Sequence, residues 1–212
     1  MQAADIGRTL GERHRTAAEH GTAADKAEFD PSLSLLNYGE FPHEGDWTLR
    51  SALVRLAQPE PARVGAVLEL VRRLDAPLHH VKRALEQHLT TCDRDVTVDN
   101  LAGAPLDPYR DIRTADLARL LATGVDDVEL LAGYEQQTPL DHEERVAVPL
   151  LAVAVQFEWL AQELTAWALA GSEPPPIASV DRAVADVGAE LDRLSVPVET
   201  GPPQRSGRSA RS

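Results

Sequence analysis

The residues best suited to chemistry lie in the stretch VTVDNLAGAPLDPYRDIRTADLARLLATG, from Val96 to Gly124. There Asp99 follows the β-branched run Val96-Thr97-Val98, which reads as a short strand, and opens a turn rich in Gly, Pro and Asp. A carboxylate at a rigid strand end suits a divalent cation shared with phosphate oxygens. Upstream stand His79, His80, Glu86 and His88, and then Asp93 and Asp95. As a metal set these fail on spacing. His80 and His88 fit neither HExxH nor Glu-x-x-His, and the three aspartates lack the Gly and terminal Glu of an EF-hand loop. The better reading is a solvated helix end followed by a polar turn.

Asp107, Tyr109, Arg110 and Asp111 could clamp a ligand at the mouth of the Asp99 loop. A Pro-containing turn whose aspartates bond their own backbone is the commoner outcome. Cys92 is the only cysteine, so no intramolecular disulfide forms, which fits a reducing compartment. With Arg94 its only cationic sequence neighbour, its thiolate gains little support and it makes a poor nucleophile. There is no G-x-S-x-G, no G-x-x-x-x-G-K-[ST] and no G-x-G-x-x-G. Trp159 and Trp167, on one apolar stretch, read as core, whereas an exposed Trp there would mark a partner surface. Arg205, Arg208 and Arg211 form a weak basic cluster able to touch an acidic partner or the chain's own acidic surface.

The elements that must position these groups are mostly helical. The 212 residues are 43% hydrophobic but only 4% aromatic, so Leu, Val and Ala must fill the core, and Leu and Ala favour helices. A net charge of −13 disfavours nucleic acid and anionic membranes as partners. The N-terminus has no apolar signal region. The apolar run Val146 to Ala170 is broken by Gln156, Glu158, Gln162 and Glu163, so it reads as a core helix and the expected location is cytoplasmic.

Helices are expected from Asp5 to about His20, over Trp47–Ala57, from Pro61 to Pro77, and over Leu78–Leu89. Further ones are expected from a Thr114 cap to Thr123, from Asp126 or Asp127 through Tyr134, and from Asp141 or His142 to Ala170 with a kink at Pro149. The apolar groups of LSLLNYGEF (Leu33, Leu35, Leu36, Tyr38, Phe41) should dock on the core. After the Pro-rich linker 171–178, a last helix over 179–195 carries Val180, Val184, Val187, Leu191 and Leu194 as a short heptad seam. Two heptads favour packing on the body over dimerisation. Residues 196–212 read as a disordered tail.

Taken together, DIGRTLGERHRTA, VTVDNLAGAPLDPYRDIRTADLARLL and LLAGYEQQTPLDHEERVAVPLL resemble the C-terminal lobe of aminoglycoside phosphotransferase and choline kinase-like small-molecule kinases. The resemblance covers residues 5 to 170 and implies a mainly α fold: a helical lobe (1–170) with at most a small β-hairpin around Leu89 to Val98. It makes Asp99 the metal- and nucleotide-phosphate-binding carboxylate and has Arg110 or Arg113 pair with a carboxylate internally. The family's catalytic loop, H-G-D-x-x-x-x-N, supplies an Asp that orients the substrate hydroxyl and an Asn for metal. His79 has the right type for its first position, but Val81 then stands for the Asp and Glu86 for the Asn. An apolar Val accepts no proton. The family's strand-rich nucleotide-covering lobe has no counterpart in this sequence. The expectation is therefore a non-catalytic relative that binds a ligand or partner near Asp99 and needs no cofactor, with Mg-nucleotide the group that Asp99 and His79 would hold. Alternatives are an active phosphotransferase completed by a separate N-terminal lobe, and an unrelated helical scaffold.

Overall fold

The computed structural model describes residues 2–20, 49–85, 88–93, 96–103, 108–171 and 174–195. Among them are seven helices and one two-stranded sheet, in the order α1 (Ala3–His20), α2 (Leu49–Leu56), α3 (Pro61–Leu85), β1 (Leu89–Asp93), β2 (Pro108–Ile112), α4 (Thr114–Ala122), α5 (Asp127–Glu135), α6 (His142–Ala170) and α7 (Ile177–Ser195). The fold is mainly helical with a small hairpin, as the Leu- and Ala-rich composition implies. LSLLNYGEF, Trp47 and the tail lie outside the described residues.

The hairpin is not where the β-branched run placed it. β1 pairs antiparallel with β2, with Leu89 opposite Ile112 and Asp93 opposite Pro108. Val96 to Val98 form no strand. Val96 is buried outside any regular element, and Thr97 and Asn100 close the following turn reciprocally. The Thr97 N–H donates to Asn100 Oδ1 (2.8 Å) and the Asn100 N–H to Thr97 Oγ1 (3.3 Å). Such local side-chain bonds outcompete a ladder.

Pro77 does not divide two helices. α3 runs through it, because Leu74, Leu78, Val81 and Leu85 keep one buried stripe while Asp75, Ala76 and Pro77 face solvent, where a missing bond is hydrated. α4 also starts differently: Thr114 is its first residue rather than its cap, and no side chain caps it. Asp126 and Asp141 do cap α5 and α6, the latter through a capping box with Glu144.

α6 is the central element. By length and composition it could cross a bilayer, yet 61% of its most apolar window is buried inside the structure. It packs with α2, α3, α7 and the Ala115/Ala118 face of α4 in one apolar cluster. The opposite face of α4, Leu117 and Leu120, packs with Ile6 and Leu10 of α1, Leu130 and Tyr134 of α5, and Val96 and Leu101 in a second. α4 is thus a partition between two cores. Val180, Val187 and Leu191 of α7 join the larger one, so the heptad seam is spent on the body of the protein.

α1 and α5 meet backbone to backbone. A Cβ on Gly133 would lie 2.0 Å from Ala4 O, and one on Gly7 would lie 2.0 Å from Leu130 O. Neither carbonyl can swing aside as a flexible side chain would. Gly65 and Gly188, by contrast, sit in α3 and α7 with nothing within 4 Å of an added Cβ. In urea denaturation, Gly133→Ala should therefore cost about 3 kcal/mol through overpacking despite Ala's better helix propensity. Gly65→Ala and Gly188→Ala should each raise stability by about 0.5–1 kcal/mol.

Candidate functional site

At the seam of α1, β1, α4 and α5 lies a cluster of polar groups sealed from solvent: His14, Cys92, Asp93, Asp116 and Tyr134, with Arg13 at its edge. Each sits on the apolar stripe of its own element. His14 continues the Ile6–Leu10 stripe of α1, and Asp116 interrupts the buried run Ala115–Leu120 of α4. Buried ionisable groups survive when paired and hydrogen-bonded, as His14, Asp93 and Asp116 are, while Arg13 bonds through Nη2 and leaves its buried Nε and Nη1 without a partner.

Asp116 accepts the Asp93 backbone N–H on both oxygens, at 3.0 and 3.3 Å. Its Oδ2 is also 3.1 Å from His14 Nε2. A carboxylate only accepts, so Nε2 carries a proton. In the neutral ring His14 Nδ1 then accepts from the Tyr134 hydroxyl, 2.8 Å away, with the two rings edge to face. Asp93 takes Arg13 Nη2 at 3.0 Å, and the Asp93 carbonyl accepts from Val96 N–H (3.2 Å). The chain leaving β1 is therefore held by its N–H, its carbonyl and its side chain at one residue.

A second cluster lies at the start of α6. Arg113 grips both oxygens of buried Glu144 and donates to Pro139 O, and His88 Nε2 lies 3.3 Å from Asp141 Oδ2. Arg113 is thus paired internally with a carboxylate, as the resemblance implied for it or Arg110. A third buried pair, Arg119 with Glu158, ties α4 to α6 at 3.3 Å.

Two of these groupings have metal-ligand chemistry: His14, Cys92 and Asp116, and His88, Asp141 and Glu144. In the first, both imidazole nitrogens are engaged, the Cys92 thiol donates to Ile112 O (3.3 Å), and burial, then Asp116 and Asp111, pushes that thiol well above its usual pKa. In the second, Glu144 is occupied by a guanidinium. Neither donor set fits a resident cation without first breaking its own bonds.

The residues singled out in the sequence are dispersed. Asp99 is exposed in the turn that follows Val96–Val98, not at a strand end. His79 is exposed on the unbroken helix α3, its Nδ1 3.0 Å from Asp75 O. Val81 is core and Glu86 lies outside the described residues. Asp111 lies buried in β2 rather than in a turn, opposite Thr90, and its carboxylate accepts from the Ile112 N–H at 2.8 Å. Asp107 and the Tyr109 side chain lie outside the described residues. Comparison with protein-family models, with curated proteins and with solved structures gives no match.

Two outcomes follow from the buried cluster. Asp116→Ala should cost about 3–5 kcal/mol, because His14 and the Asp93 N–H lose their acceptor. A cycle with His14→Ala should show a coupling of at least about 1 kcal/mol, and strict additivity would mean the pair is not formed. Burial raises the Cys92 thiol and also the Tyr134 phenol, above its usual range, so the native state holds both protons more tightly than the unfolded chain. Stability is then full below the ordinary thiol value near 9 and falls as pH rises beyond it. Cys92→Ala should flatten the first part of that decline in pH-dependent denaturation.

Proposed function

We propose that this chain is a phosphotransferase-like domain that binds a ligand or partner at the loop following β1 and does not itself carry out phosphoryl transfer. The observation that carries this reading is the triple anchorage of Asp93. Placing Asp116, Asp93 and His14 in a sealed interior demands compensating bonds, and these hold Asp93, the last residue of β1, six positions before Asp99 in the sequence. Loops presented from rigid scaffolds are where binding groups concentrate.

The same geometry moves the candidate away from His79. His79 stands exposed in the middle of α3 with Nδ1 turned to its own helix at Asp75 O, and it is not part of a loop that also carries Asp99. Directly after the anchored Asp93, however, the sequence runs Asp93-Arg94-Asp95-Val96-Thr97-Val98-Asp99-Asn100. Asp95 and Asn100 have the D-x-x-x-x-N spacing of the catalytic loop in the resembled family, with Asp93 and Arg94 in place of its His and Gly. That spacing favours a second reading, a phosphotransferase that becomes active when a nucleotide-covering lobe is supplied from outside these residues. In the first reading exposed Asp99 is the oxygen donor that would meet a metal–phosphate ligand, since Asn100 Oδ1 is held in the turn by the Thr97 N–H.

An NMR titration of the full chain with Mg-ATP, followed by a phosphate-release assay, separates these cases. The proposed reading expects shifts concentrated at residues 96–103, their loss in Asp99→Ala, and no phosphate release. Turnover that Asp95→Ala abolishes would establish the second reading. Shifts absent from 96–103 even at millimolar Mg-ATP would remove the phosphotransferase-like reading and leave a helical scaffold.

A further inference from the structure

Sharing no lining residue with the loop after β1, a cleft of about 330 Å³ opens between α6 and the first half of α7, with Gln156, Trp159, Glu163, Arg182 and Asp186 among its walls. Its polar groups are underused. Along α7, Asp181 grips Arg63 with both oxygens, Asp192 takes Arg73 and Glu190 takes Arg193. Asp186 and Glu163 have no ion-pair partner among the described residues. Gln156 Oε1 is buried without a hydrogen-bond donor. Trp159, on α6, is 41% exposed. Two carboxylates outweigh the single Arg182, so the cleft is net negative.

An unpaired acceptor, two free carboxylates and an open indole face call for a planar, donor-rich cation, which is a guanidinium. The protein already uses this recognition elsewhere. The Arg55 guanidinium lies 4.5 Å from the Trp167 ring centroid while its Nη1 donates to Ala168 O at 2.7 Å. We propose that the α6–α7 cleft is the docking site for an arginine of the chain's own segment 196–212. That segment carries Arg205, Arg208 and Arg211 against one acid, Glu199, on a chain of net charge −13.

The reach is sufficient. Ser195 ends α7 nine residues beyond Asp186 (195 − 186 = 9), about 14 Å along the helix axis. The ten residues 196–205 can extend to about 33 Å, so Arg205 returns to the cleft with slack, and Arg208 with more. Docking makes this segment the intramolecular occupant that any other cationic ligand of the cleft must displace.

The indole N–H resonance of Trp159 reads this contact, assigned by its loss in Trp159→Phe. In the full chain carrying Arg205→Ala, Arg208→Ala and Arg211→Ala, the Trp159 signal should shift while that of Trp167 stays in place. Glu163→Gln with Asp186→Asn in the otherwise unaltered chain should move Trp159 to the same position, and high salt should move it in the same direction. An identical Trp159 signal with and without the three arginines would overturn the proposal. A difference that vanishes on dilution would assign the contact to a second copy and overturn it as well.

Discussion

The Asp116 carboxylate, buried in α4, binds the Asp93 backbone N–H on one side and the His14 imidazole on the other, and the architecture around β1 depends on it. An isolated buried carboxylate would be untenable. Its two partners make it stable, and in doing so they join α1, β1 and α4 at one point. Tyr134 behind His14 adds α5, and Arg13 on Asp93 returns the connection to α1. Helices that are far apart in sequence are thereby held in one register by directional bonds, where apolar contact alone would tolerate sliding.

The two apolar clusters explain why such bonds are needed. α4 is only nine residues long and is buried on both faces, with small alanines toward α6 and leucines toward α1 and α5. A short helix wedged between two cores has little propensity of its own to fix its rotation. Asp116 orients it toward β1, and Arg119 on Glu158 orients it toward α6. On the α1 side, the glycine contacts with α5 bring backbones close enough for the His14 ring to reach Tyr134. Packing and polar pairing are therefore mutually dependent here.

Helix existence was legible in the sequence because 3.6-residue apolar periodicity survives in α1, α3 and α7, because α6 is a long run apolar almost all round, and because Asp126, Asp141 and Gly124 are strong terminal signals. Strand placement was not. Val96-Thr97-Val98 has the higher β-propensity, yet Thr97 and Asn100 bond each other's backbone, and the ladder forms from LTTCD and PYRDI, whose partners are fixed by tertiary packing. Pro77 misled because its cost depends on whether the freed carbonyl faces water, which sequence does not state. The buried cluster did leave a trace, since His14, Asp116 and Glu158 are ionisable residues on apolar stripes. Asp99 drew notice by its place after a β-branched run and His79 by its match to one position of the resembled family's loop, and both are solvent-facing.

The most direct measurement is native-state hydrogen exchange at the Asp93 amide. Asp93 pairs with Pro108, near the end of the two-stranded ladder, where fraying would normally let exchange run fast. If Asp116 anchors that amide, its protection should approach that of the buried α6 amides and should drop selectively when Asp116 is replaced by Asn. An Asp93 amide that exchanges as fast as those of the exposed turn at Thr97 and Asn100 would contradict the account.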